Sequence, residues 1–96
     1  MFGSVSIEYD QIKSEKLKSE RGISFEEIIP MLDSAHILDI TDHPNRDRYL
    51  NQRICVLNID GYVYMVPFVE RANTVFLKTI IPSRKATAHY LRKGED

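Results

Sequence analysis

Arg53-Ile54-Cys55-Val56-Leu57-Asn58-Ile59 and Tyr62-Val63-Tyr64-Met65-Val66-Pro67-Phe68-Val69 flank the dipeptide Asp60-Gly61. β-Branched and aromatic side chains dominate both runs. Asp-Gly is among the pairs best suited to a two-residue turn whose central residues both need positive φ. The stretch therefore predicts two antiparallel strands joined by a tight hairpin. Downstream, Arg71-Ala72-Asn73 supplies a second turn and Thr74 to Ile81 a further strand. Pro82-Ser83 then opens a helical run expected to end near Lys93.

Upstream of the hairpin, Thr41-Asp42-His43-Pro44-Asn45-Arg46-Asp47-Arg48 is polar and rich in turn formers, and His36 to Ile40 before it reads as a short strand. Ser24-Phe25-Glu26-Glu27 has the form of a capping box, with Ile23 and Ile28 spaced as a hydrophobic staple. The helix it starts is expected to be short or kinked at Pro30. Before it, Asp10 can cap a helix over Gln11 to Arg21, with Gly22 as its stop. Ile12 and Leu17 are the only large aliphatic residues of that helix, so it needs a neighbour to persist. Ser4 to Tyr9 alternates Val5, Ile7 and Tyr9 with Ser4, Ser6 and Glu8, the period of a half-buried strand. The order β-α-α-β-β-β-β-α predicts an α+β fold, an antiparallel sheet with helices packed on one face in two layers.

A chain of 96 residues suits a single domain, and 43% hydrophobic with 28% charged residues excludes a disordered segment. The longest apolar stretch, Tyr62 to Val69, is interrupted by Pro67 and falls well short of the roughly 18 residues that span a bilayer. The first residues carry neither the basic flank nor the apolar region of a secretory signal, so a cytoplasmic location is the expectation, without membrane association. Cys55 is the only cysteine, which fits a reducing compartment and leaves no partner for a disulfide.

The net charge of −1 conceals an asymmetry. Residues 1–70 carry 7 basic and 12 acidic side chains. Residues 71–93 hold Arg71, Lys78, Arg84, Lys85, Arg92 and Lys93 with no Asp or Glu, a charge of +6. Such a cluster favours a polyanionic or acidic partner. His36, His43 and His89 are scattered and lack the spacing of a helical ligand pair, so no metal is expected. Asp39, Asp42, His43 and Asp47 crowd one loop, where turn formation accounts for them. Gly3, Gly22, Gly61 and Gly94 are isolated, and no phosphate-cradling loop or nucleotide cofactor is expected. Cys55, inside a strand, reads as a buried hydrophobe.

Lys78 on the last strand and Arg84, Lys85, His89 and Tyr90 on the following helix bring together cations, an imidazole and a phenol. Lys85 and His89 are i, i+4 neighbours on one helix face. Metal-free RNA cleavage needs a base for the 2′-OH, an acid for the leaving 5′-oxygen and positive charge for the phosphorane. This segment can supply all three, with Arg84, Lys85, His89 and Tyr90 as catalytic candidates and Lys78 and Arg92 as RNA-binding ones. The alternative is a solvated helix face whose basic end complements the helix dipole.

Three stretches of the chain carry a resemblance: Ile7-Glu8-Tyr9-Asp10 with Lys13, Glu20-Arg21-Gly22-Ile23-Ser24-Phe25-Glu26-Glu27, and Ile80-Ile81-Pro82-Ser83-Arg84-Lys85-Ala86-Thr87. Their order and content resemble the BrnT-type toxins of bacterial type II toxin–antitoxin modules, a family grouped with RelE-like ribonucleases. The resemblance implies a RelE-like fold and a cytoplasmic endoribonuclease that arrests translation. It also implies a hetero-oligomeric complex with a cognate antitoxin that has a DNA-binding part. Arg84 and Lys85 match the family's Arg-Lys pair, and Arg53 corresponds to an Arg that often opens its central strand, a further RNA-binding candidate. The chain departs from the family at Arg21, where most members have His, at Thr79, where many have Arg, and at Tyr90, where Glu is frequent. These departures leave a second reading: a non-catalytic protein-binding module of the same fold, docking a partner on the basic helix and the Tyr62, Tyr64, Val66, Phe68 stripe. A DNA-binding regulator fits less well, since no helix-turn-helix is recognisable.

Overall fold

The structure, a computed structural model, describes residues 2–45, 47–48 and 51–92. Its elements are, in chain order, strand β1 (Ser6–Glu8), helix α1 (Gln11–Arg21), helix α2 (Phe25–Ile28) with a 3₁₀ turn (Ile29–Met31), and strand β2 (Ile37–Asp42). There follow strands β3 (Gln52–Ile59), β4 (Tyr62–Arg71), β5 (Thr74–Leu77) and β6 (Ile81–Pro82), helix α3 (Arg84–Thr87) and a wide π-helical turn (Ala88–Arg92). The expected end near Lys93 lies outside the described residues.

The β3–β4 hairpin forms with continuous pairing from Gln52↔Val69 to Ile59↔Tyr62. Asp60 and Gly61 both take positive φ, 53° and 83°, which is what a tight right-twisting turn requires. The Asn58 side chain accepts the Gly61 N–H at 3.0 Å. The helix caps follow the sequence as well. Asp10 Oδ1 accepts from Ile12 and Lys13 N–H, and Gly22 ends α1 in the left-handed region at φ 76°. Ser24 and Glu27 complete the reciprocal capping box, and the staple residues Ile23 and Ile28 are both buried.

The sheet order is β1-β5-β4-β3-β2, with β6 also paired to β4. The expected strand from Thr74 to Ile81 is interrupted. Phe68 faces Leu77, whereas Met65 faces Ile81, so three steps along β4 match four along the opposing segment. The extra residue forms a bulge that puts Leu77 and Ile80 into the same buried cluster.

Two expectations need correction. The sheet is mixed rather than antiparallel, because β1 runs parallel to β5 with Ile7 opposite Val75. A period-two pattern fixes which face of a strand is buried and carries no information about its direction. Nor do the helices share one face. Phe25, Ile28, Leu17 and Ile23 pack on Cys55, Leu57, Val66, Phe68, Val75 and Leu77. The last helical segment, through Ala86, Tyr90 and Leu91, packs on Ile54, Val56, Val63 and Met65, the alternate positions of β3 and β4. The reason is visible in β3 itself: Ile54, Cys55, Val56 and Leu57 are consecutive and all buried, as in a strand covered on both sides. Ile12, expected on the apolar face of α1, is 78% exposed; Leu17 and the fully buried Ser14 make that face instead.

Candidate nucleic-acid interface

The last helical segment is fastened to the sheet by hydrogen bonds that consume three of its five opening residues. The Ser83 side chain caps α3 by accepting the Ala86 N–H at 3.0 Å. The Ser83 N–H donates to the Val63 carbonyl. Thr87, 1% exposed, donates its hydroxyl to the Ser83 carbonyl at 2.7 Å and accepts the Val63 N–H at 2.8 Å. Thr87 thus replaces a missing strand partner for β4, and Ala86 packs on the apolar cluster beneath. Within Ser83-Arg84-Lys85-Ala86-Thr87 only Arg84 and Lys85 remain exposed and without a structural task. They open the helical segment that runs on to Arg92, so it is Arg92 and not these two that stands at the end where a helix dipole favours cations.

Lys85, His89 and Tyr90 line one open depression of about 270 Å³ together with Met65, Ser83 and Ala86. The His89 and Tyr90 rings meet edge to face, 4.8 Å between centroids. The Tyr90 hydroxyl donates to Asp39 on β2 at 2.9 Å. Burial, that hydrogen bond and the Asp39 charge all push the Tyr90 phenol above its ordinary range, so it stays protonated and committed to Asp39. This leaves the His89 imidazole and the Lys85 amino group lining the depression.

The remaining candidates divide. Lys78 lies on the same side of the sheet, in a second depression with Glu8, Val69, Arg71, Thr74 and Phe76. Arg84 and Arg92 are exposed on the helical segment, outside the lining of either depression. Arg53 sits on the opposite face, beside Ile37 and Ile40, and is engaged with Asp42 at 3.9 Å and Glu70 at 3.3 Å. Among the described residues, by contrast, Arg71, Lys78, Arg84, Lys85 and Arg92 have no carboxylate partner. Arg71, Phe76 and Glu8 were not singled out from sequence as site residues. The alternation Arg71, Thr74, Phe76, Lys78 around a two-residue turn carries the signal, but only once the β4–β5 pairing is known.

Three other readings resolve locally. The Tyr62, Tyr64, Val66, Phe68 stripe is not a docking surface, since Val66 and Phe68 are covered by the N-terminal helices at 0% and 1% exposure. Arg21, the departure before Gly22, donates to the Ile80 carbonyl and ties the end of α1 to the bulge. Cys55 is buried, and burial pushes its thiol up to about 12, which removes it as a nucleophile. No described helix is long and apolar enough to cross a membrane. Comparison with models of known families, with characterised proteins and with solved structures finds no match to this chain.

Proposed function

We propose that this chain is a metal-independent endoribonuclease of the toxin type, with a RelE-like fold, that works on the sheet face carrying the C-terminal helical segment. The observation that carries the reading is the placement of Lys85 and His89 around one depression, on a segment whose Ser83, Ala86 and Thr87 are all used to hold it in place. In the proposed reaction His89 removes the proton of the ribose 2′-OH, and the 2′-oxygen attacks the adjacent phosphorus. Lys85, with Arg84 beside it, stabilises the charge of the phosphorane. The P–O5′ bond breaks, and the leaving oxygen takes a proton from water in the open depression, giving a 2′,3′-cyclic phosphate and a free 5′-OH. Tyr90 is a positioning residue, holding the His89 ring edge to face while bonded to Asp39.

The purified chain is expected to cleave RNA in the presence of EDTA. His89→Ala is expected to lower the rate about 10²–10⁴-fold, the usual contribution of a positioned acid–base group. Arg84→Ala and Lys85→Ala are expected to relieve growth arrest on expression; undiminished toxicity would remove both from the site. A cognate antitoxin would act most simply by covering the same cations, and RNA binding that persisted undiminished in the complex would refute that. The second reading, a binding module without nuclease activity, is favoured by the engagement of Tyr90 with Asp39, which leaves one acid–base group where two are usual. Absence of cleavage by the chain at high concentration would decide for the module.

A further inference from the structure

Beyond the helical segment, the same sheet face is left open by the described residues over β4, β5 and β1, and its side chains form ordered rows. Phe76 lies between Glu8 on β1 and Val69 on β4, its directly paired neighbours. One step along, Thr74 is paired with Arg71. One step the other way, Lys78 bonds through its N–H to the Pro67 carbonyl, and its ammonium sits 5.7 Å from the Phe76 ring centroid. Glu8, Val69, Arg71, Thr74, Phe76 and Lys78 line a depression of about 270 Å³. It is separated from the Lys85–His89 depression by the four-residue step from Met65 to Val69, about 13 Å of strand.

We infer that this row is a base-stacking subsite for single-stranded RNA, in which an unpaired base lies on the Phe76 ring while Arg71 and Lys78 hold the flanking phosphates. The inference rests on the nuclease reading and extends it to how the strand is gripped away from the scissile bond. Three features point the same way. An aromatic ring on a strand, partly exposed on a sheet face with no helix over it among the described residues, is a platform for a base and is closed to a paired one. The cations on either side have no carboxylate partner among the described residues, so they offer charge for a polyanion. Glu8 repels phosphate, and a carboxylate beside the ring instead marks the place of a base edge, where it accepts a hydrogen bond from an exocyclic amino group. Simple shielding of Phe76 by the stem of Lys78 accounts for Lys78 alone and leaves Arg71 and Glu8 unexplained.

The chain contains no tryptophan, so Phe76→Trp makes emission a reporter of this one position while keeping an aromatic platform. Single-stranded RNA of mixed sequence is expected to bind this variant as it binds the unaltered chain, measured by anisotropy of the labelled oligonucleotide, and to quench its emission. The same sequence as a duplex is expected to leave emission unchanged. Phe76→Ala, checked for folding by circular dichroism, is expected to lower single-strand affinity about tenfold or more. Glu8→Gln is expected to reduce the preference for bases bearing an amino group over uracil. RNA binding without quenching, and with no loss in Phe76→Ala, would overturn the subsite and leave the nuclease reading standing. No binding of RNA by the unaltered chain would remove both. Quenching by polyglutamate but not by RNA would overturn the subsite in favour of an acidic protein partner.

Discussion

The two faces of this sheet are built from the same strands and differ in nearly everything else. On the face under α1 and α2, Phe25, Ile28, Leu57, Val66 and Ile80 are fully buried, and the polar groups close on one another. Ser14 donates to Glu26 at 2.7 Å and accepts the Phe25 N–H at 2.9 Å, while Tyr9 donates to the other Glu26 oxygen at 2.6 Å. Lys18 pairs with Glu27, and Arg53 with Asp42 and Glu70. On the opposite face the buried cluster among the described residues is Ile54, Val56 and Val63, and the cations there find no carboxylate among those residues. A chain of this length has apolar material for one substantial core. The second face holds a short helical segment on a smaller buried cluster, and in the proposed function its cations serve the ligand.

The largest effect that distinguishes the faces comes from two positions of β3, Ile54 and Leu57. Leu57→Ala, on the fully packed side, is expected to cost about 4 kcal/mol, and Ile54→Ala, under the thinner cover, about 2 kcal/mol. Urea denaturation measures both, and equal costs would break the comparison. Next, Thr87→Val keeps the shape but leaves the Val63 N–H without an acceptor, an expected loss of about 1–3 kcal/mol. Faster amide exchange at Val63 than at Leu57 would localise the loss to the helix attachment; unchanged exchange would show that Thr87 is not the fastening.

A smaller effect appears in acid. Hydrogen bonds from Ser14 and then Tyr9 lower the Glu26 pKa to about 2, and Lys18 and the capping box lower that of Glu27. A carboxyl with a depressed folded-state pKa stabilises fully above its ordinary titration range, and the stabilisation is lost as pH falls from there toward 2. Urea midpoints are therefore expected to fall over that window in the unaltered chain and to fall less steeply in Glu26→Gln. Parallel profiles would mean the Glu26 network contributes nothing measurable.

The hairpin, both N-terminal helix caps and the turn at Ala72 were legible because each depends on residues close in sequence, such as Asp60-Gly61 or Ser24 with Glu27. The parallel pairing of β1 with β5 was not, because Ile7 and Val75 are brought together only by the folded sheet. The second helix layer was present in the run Ile54-Cys55-Val56-Leu57, whose lack of alternation marks burial on both sides. The Lys85–His89 neighbourhood followed from helical spacing. The engagement of Tyr90 with Asp39, 51 residues away, could not, and neither could the pairing of Arg53 with Glu70. Charge counted along the chain grouped Lys78 with Lys85, and the family resemblance added Arg53; the fold sorts them by face.

Matched charge reversals test that sorting most directly. Lys85→Glu and Arg53→Glu change the net charge equally, one on each face, and the affinity of each for a labelled single-stranded RNA can be followed against salt concentration. Lys85→Glu is expected to weaken binding severely and to reduce the slope of log affinity against log salt by about one or more, while Arg53→Glu leaves both close to those of the unaltered chain. Equal losses in the two variants, or a loss confined to Arg53→Glu, would contradict an RNA-binding surface on the face of the C-terminal helical segment.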